Sequence, residues 1–206
     1  MTASAGAVLA GGRASRLPGK PLVELAGRPL IARPIAALRE AGLEPVIVAK
    51  AAQTGLREYA AAERVRFVEE PAEPVHAVFG IVSALELIAE PVVVAAADMP
   101  FVPAAFLRHL AGQAPVAGGA TVVEVGGRLE PLLGCYDPGA VEHLRAAVEL
   151  GAPAQQALRS LGPLLTLIGE RALSVYGEPE MIVRDVDDDA ALEGAEESFR
   201  RSAGNH

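Results

Sequence analysis

Ala7-Val8-Leu9-Ala10-Gly11-Gly12-Arg13-Ala14-Ser15-Arg16-Leu17-Pro18-Gly19-Lys20-Pro21-Leu22 begins as an apolar strand and breaks into a loop of glycines, two arginines and a lysine. Glycines let a backbone reach positive φ and approach an anion closely, so that successive N–H groups can face phosphate oxygens. Arg13, Arg16 and Lys20 add positive charge where a triphosphate would need it. Two familiar phosphate loops do not fit. A Walker A loop needs Gly-Lys followed by Ser or Thr, but Pro21 follows Gly19-Lys20, and Ala14 stands where its first glycine belongs. The G-x-G-x-x-G dinucleotide fingerprint is absent as well. The plainer alternative is a strand-to-helix turn whose charges are solvated.

Outward from this loop, short β-branched runs alternate with helical spacing. Strands are expected at Ala7–Ala10, Pro45–Ala49, Val65–Val68 and Val92–Ala97. Helices are expected at Pro29–Ala41, Leu56–Ala62, Ala77–Ala89 and Pro103–Ala111. Pro29 suits the first turn of a helix and Gly42 its C-cap. Val92–Ala97 is wholly apolar, as expected of a parallel strand covered on both faces. The alternation predicts a three-layer α/β fold, a mostly parallel twisted sheet with helices on both faces. Ligands of such sheets bind beyond the carboxyl ends of the strands, which directs attention to the loops after Ala10, Ala49, Val68 and Ala97. From Pro115 the pattern changes to a hairpin, Thr121–Val125 with Leu129–Tyr136. Helices follow near Gly139–Leu150 and Ala154–Leu161, short strands at Leu164–Ile168 and Met181–Arg184, and a last helix at Ala190–Arg200. We read one domain over residues 1–200, with a nucleotide-binding half at 1–112 and an acceptor-binding half at 113–200, and a disordered tail at 201–206.

Composition narrows the function. Of 206 residues, 51% are apolar and 4% aromatic, so the core must be built from Ala, Val, Leu and Ile. A net charge of −8 argues against general nucleic-acid binding, which needs clustered Lys and Arg. The lone cysteine, Cys135, supports neither a disulfide framework nor a cysteine metal site and reads as a small buried residue of a strand. The N-terminus enters a strand without a basic leader, and Pro91–Ala97 is too short to span a membrane, so a cytoplasmic protein without membrane association is expected. No two of His76, His109, His143 and His206 have helical metal spacing. His109 and His143 are expected on helix surfaces, and His76 in a loop near the expected pocket, where a substrate contact is the other option.

Asp98 places one carboxylate just beyond a buried strand, at the expected ligand edge. Mg²⁺ takes oxygen ligands, often one or two carboxylates plus substrate phosphates, and Asp98 is suited to that role. The alternative is a turn or N-cap carboxylate ahead of Pro100.

Leu9-Ala10-Gly11-Gly12, Ser15-Arg16-Leu17, Lys20 and Leu25-Ala26-Gly27-Arg28-Pro29-Leu30 together resemble the N-terminal signature of the sugar-phosphate and cofactor nucleotidyltransferases. Within that superfamily they are most similar to the molybdenum cofactor guanylyltransferases, whose Asp-Met-Pro-Phe motif is matched by Asp98–Phe101. Glu130-Pro131-Leu132 through Tyr136 resembles the family's Q-P-L-x-x-x-Y segment, and Asp185-Val186-Asp187 through Leu192 its N-x-N-T-P-E-[DE]-L ending. The resemblance implies a Rossmann-like nucleotidyltransferase fold and a Mg²⁺ ion on Asp98. It implies transfer of a nucleotide from GTP, or another NTP, to a phosphorylated molybdopterin-type acceptor, with transient contact with other cofactor-biosynthesis proteins. Lys20 and Arg16 are then catalytic together with Asp98. Leu9, Ala10, Gly11 and Gly12 cradle the nucleotide with Lys20 and Asp98, and Glu70 takes the place of the family's nucleotide-binding aspartate. Its carboxylate can accept hydrogen bonds from guanine N1 and N2. Asp185 and Asp187 are expected at the acceptor, whereas Asp188 and Asp189 read as carboxylates favoured at the N-terminal turn of a last helix. The chain departs from the family at Gly19, where Asp is usual; at Ala49-Lys50, where Asn is usual; and at His76–Gly80, which keeps only the last glycine of Gly-Pro-Leu-x-Gly. Rival readings are a cytidylyltransferase, a sugar-phosphate nucleotidyltransferase of the same fold, or a non-catalytic nucleotide-binding module.

Overall fold

The computed structural model describes residues 2–11, 17–51, 55–73, 75–113 and 115–203. The elements in chain order are β1 (Ala5–Leu9), β2 (Glu24–Leu25), β3 (Arg28–Pro29), α1 (Ala32–Ala41), β4 (Glu44–Lys50), α2 (Leu56–Ala62), β5 (Arg66–Glu70), α3 (Ala77–Ile88), β6 (Val92–Ala96) and α4 (Ala104–Gly112). There follow β7 (Ala120–Val125), β8 (Arg128–Tyr136), α5 (Val141–Glu149), α6 (Ala154–Arg159), β9 (Leu165–Gly169), α7 (Glu170–Leu173), α8 (Pro179–Ile182) and α9 (Asp189–Ala203).

Seven strands form one mixed sheet in the order β5-β4-β1-β6-β8-β7-β9. The pairs β1–β4, β1–β6, β4–β5 and β7–β9 are parallel, and β8 alone runs against its neighbours β6 and β7. The chain leaves β1 toward β4 and β5, then returns to lay β6 on the other side of β1. The loops after β1 and β6 therefore diverge, which opens a crevice at the carboxyl ends of these two strands.

The period-two alternation of the strands divides the core in two. Val8, Ile47 and Val93 point to the face covered by α1, α2 and α4, while Ala7, Leu9, Val46, Val48, Val92 and Val94 point to the face covered by α3, α5 and α6. Among the described residues, one aromatic side chain is fully buried in each layer. Phe106 of α4 is fully buried, and burial of a side chain of this size contributes about 1.5–3 kcal/mol. Tyr136, also fully buried, donates its hydroxyl to the carbonyl of Pro131 at 2.5 Å. This bond braces β8 at the register shift opposite Val122 and Val123. Cys135 lies in β8 among apolar neighbours, and burial pushes its thiol up to about 12.

Four expectations are corrected. The helix expected from Pro29 starts at Ala32 instead, because Pro29 pairs with Glu24 in a two-strand hairpin. Its turn is Ala26-Gly27, with φ of 50° and 73°, and two positive φ values are the requirement of a type I′ turn. The strand expected at Met181–Arg184 is a single helical turn. Pro179 opens it, and the Ile182 N–H bonds to Glu178 O at 3.0 Å. His109 is half-buried rather than on the surface, with its ring 5.5 Å from that of Tyr176. The last helix extends to Ala203, into the segment read as a tail. Among the described residues, no helix is long and apolar enough to cross a membrane.

Candidate functional site

The crevice between β1 and β6 gathers charged side chains from three distant parts of the chain. Lys20 lies in a short helical turn, Lys20–Leu22, directly after Gly19, whose φ of 66° is left-handed. Glycine adopts that conformation without a Cβ penalty, so the loop can turn the lysine inward there. The Lys20 ammonium donates to Asp98 Oδ2 and to Asp187 Oδ1. Asp98 follows β6 at the strand's carboxyl end, and its carbonyl accepts the N–H of Val186 at 3.0 Å. That backbone bond ties the 185–187 segment to the end of β6 and brings Asp187 onto Lys20.

Docking of the C-terminal helix supports the same segment. Leu17, Leu25, Leu30, Val186 and Ala195 form a separate small apolar cluster. The Phe199 ring of α9 stacks on Phe101 with centroids 5.0 Å apart, and the Arg33 guanidinium lies 4.2 Å from the centre of the Phe199 ring. Arg33 also donates to Leu25 O at 2.9 Å, so helix, hairpin and the segment at Leu17 are held as one unit.

The electrostatics follow from this crowding. Burial alone would lower the Lys20 pKa, but Asp98 and Asp187 together outweigh it and raise the value. Asp185 is raised by burial first, and then by Asp187 and Asp98. Glu130 is raised by burial and by Asp185, with Arg128 opposing. Among the described residues, Asp98, Asp185 and Asp187 thus crowd around the Lys20 ammonium, and a cation brought to this edge would relieve their mutual repulsion.

Beside this cluster lies a cavity of about 220 Å³ lined by Leu9, Gly11, Glu70, Val75, His76, Ala77, Gly80 and Leu132. Glu70 is buried at the end of β5, with Lys50 Nζ 3.8 Å from its Oε1, and the same ammonium donates to Pro71 O at 2.6 Å. Burial raises the Glu70 carboxyl and Lys50 opposes that. A Cβ on Gly11 would fall 1.5 Å from Glu70 Oε1, so glycine is what allows the carboxylate to lie across the end of β1. Gly11→Ala is therefore expected to cost about 1–3 kcal/mol in urea unfolding. Adding Glu70→Ala should recover most of that loss. An equal cost with and without Glu70 would place the conflict elsewhere.

Of the residues singled out in the sequence, Lys20 and Asp98 meet directly, and Leu9, Gly11 and Glu70 line the adjoining cavity. Ala10 is buried at the strand end, with its N–H bonded to Val48 O at 2.8 Å. Gly12, Arg13 and Arg16 lie outside the described residues. Asp187, read as facing an acceptor, has its carboxylate on Lys20 beside Asp98, and Asp185 lies alongside. Asp188 is a helix cap, accepting the N–H of Ala191 at 2.9 Å. The sequence reading missed Glu130 beside Asp185, Leu132 in the cavity wall and the Lys50–Glu70 pair. No local pattern announces contacts between residues so far apart in the chain.

Comparison with known proteins agrees with this architecture. The chain is 30% identical over 187 residues to a probable molybdenum cofactor guanylyltransferase of Opitutus terrae, covering 87% of this chain and 86% of that one. It is 39% identical over 127 residues to a probable molybdenum cofactor guanylyltransferase of Haloferax mediterranei, a stretch that spans 59% of each chain. The crystal structure of molybdopterin-guanine dinucleotide biosynthesis protein A from Archaeoglobus fulgidus superposes with a TM-score of 0.77 at 25% identity, covering 95% of this chain and 98% of that one. Residues 6–164 match the MobA-like NTP transferase domain, and with the Gly-rich loop, Lys20 and Asp98 all inside that span, the chain belongs to the MobA-like NTP transferase family.

Proposed function

We propose that this nucleotidyltransferase moves a guanylyl group from GTP to a phosphorylated, molybdopterin-type acceptor and releases pyrophosphate. The observation that carries the reading is the meeting of the Lys20 ammonium with Asp98 and Asp187 at the switch point of the sheet, beside the cavity that ends at Glu70. In the reaction, an acceptor phosphate oxygen attacks the α-phosphorus. The bond to the β-phosphate bridging oxygen breaks, and that oxygen leaves with the electron pair as pyrophosphate. The attacking group is already an anion, so the chemistry asks for positioning and charge stabilisation rather than a strong base. In this reading Lys20 neutralises negative charge on the phosphates and the backbone at the end of β1 supports them. Glu70 offers a carboxylate to the N1–H and N2–H of guanine. The names of the relatives in Opitutus terrae and Haloferax mediterranei support the guanylyl donor and the molybdenum-cofactor acceptor.

The site's chemistry suits Mg²⁺. Among the described residues, no three His, Cys, Asp or Glu side chains form a closed metal cage. Magnesium needs none, since one or two carboxylates and substrate phosphates suffice. Asp98 and Asp187, oxygen donors that converge on the Lys20 ammonium, would hold it. Bound there with the triphosphate, the ion supplies Lewis-acid stabilisation of the phosphate oxygens.

A thermal-shift series with Mg²⁺ and each of GTP, CTP, UTP and ATP tests the donor. At a hundredfold excess over its Kd, the preferred nucleotide stabilises the folded state by about 2.7 kcal/mol. GTP is expected to give the largest shift, and adding molybdopterin is expected to release pyrophosphate. A larger shift with CTP would reassign the base. Binding without pyrophosphate release in the presence of acceptor would make the protein a binding module.

A further inference from the structure

We infer that His76 is a positioning residue of the nucleotide cavity, clamping its α3 wall to the turn between α5 and α6. This rests on the reading of that cavity as the site of the nucleotide base. His76 is the N-cap of α3, with extended φ and ψ of −146° and 133°. Its Nδ1 accepts the N–H of Val78 at 3.2 Å, and its Nε2 lies 3.0 Å from the carbonyl oxygen of Ala152. A ring nitrogen that accepts from a backbone N–H carries no proton, so the proton sits on Nε2 and is donated to Ala152. One neutral ring thereby satisfies a helix end and a turn 76 residues further along the chain.

The position matters because the first turn of α3 is a wall of the cavity, through His76, Ala77 and Gly80. Gly80 faces the same space, since a Cβ there would lie in ordinary contact with Leu9 Cδ1 at 3.4 Å and Glu70 Oε2 at 3.5 Å. A small displacement of this turn therefore changes the space above Glu70. The Ala152 side of the clamp is itself fixed, since the Ala152 N–H bonds to Ala147 O at 3.0 Å and α5 packs in the same core layer as α3. The resembling family motif has glycine where this chain has His76, and glycine offers no side chain for such a clamp. The histidine supplies from a side chain an anchor for the helix end that lines the cavity.

The two bonds can be separated by substitution. Asn is an effective N-cap and keeps the bond from Val78, but it is too short to reach Ala152. His76→Asn is expected to leave the melting temperature within about 2 °C of wild type, while weakening GTP binding about five- to tenfold in calorimetric titration with Mg²⁺. His76→Ala is expected to weaken binding to a similar degree and also to lower the melting temperature by about 2–4 °C. Wild-type affinity in His76→Asn overturns the inference. So does a loss of affinity that comes with the same drop in melting temperature as His76→Ala, which would mark the ring as merely stabilising. If the wild-type protein binds none of GTP, CTP, UTP and ATP, the base-cavity reading fails and the inference falls with it, an outcome distinct from the other two.

Discussion

Lys20→Ala is expected to lower the turnover of nucleotide transfer about 10²- to 10³-fold, the size seen when one preorganised charge-stabilising group is removed from a site. Its ammonium is the shared partner of Asp98 and Asp187, and those two carboxylates come from segments separated by 89 residues. The substitution thus removes positive charge where a triphosphate would bind, and leaves neighbouring carboxylates facing one another. Lys20→Arg should not restore activity, because a planar fork cannot take the place of a compact ammonium held between two oxygens. Measurement of kcat and KM for the NTP, with a melting curve for each variant, separates a chemical from a structural effect. Turnover and KM at wild-type values in Lys20→Ala would remove Lys20 from the site.

The lysine was legible in the sequence because it sits in a short, glycine-rich loop directly after a strand. Asp98 was legible because a carboxylate directly after Val92–Ala97 must emerge at the strand's carboxyl end. The central strands could be read because parallel strands covered on both faces are continuous apolar runs, punctuated by Gly and Pro. The β2–β3 hairpin could not be read, since two-residue strands carry no periodicity and Pro29 resembles a helix start. Asp187 was visible as a family-like residue, but its contact with Lys20 was not. That contact depends on α9 docking through Phe199 onto Phe101 and Arg33, and on the bond from Val186 to Asp98 O. His76 was read as lying near the pocket, but its two contacts were not legible, for another reason. Both of its partners are backbone atoms, and backbone atoms leave no mark in a sequence.

Asp98→Asn is the counterpart of the lysine substitution, and the two should move magnesium dependence in opposite directions. The amide preserves size and can still accept a hydrogen bond from Lys20, but it removes a negative charge from the oxygen pair that would hold the cation. Turnover is expected to fall about 10²- to 10³-fold, and the Mg²⁺ concentration for half-maximal activity to rise. In Lys20→Ala the carboxylates lose the ammonium that bridges them, so the same Mg²⁺ midpoint should fall even as turnover drops. Asp187→Asn should follow Asp98→Asn in direction with a smaller loss. Its side chain is 37% exposed against 26% for Asp98, and charge in a wetter position is screened more strongly. Magnesium titrations of the three variants at saturating NTP decide the matter. Parallel shifts in Lys20→Ala and Asp98→Asn would mean that lysine and cation do not share these carboxylates, and an unchanged midpoint in Asp98→Asn would take the metal away from Asp98.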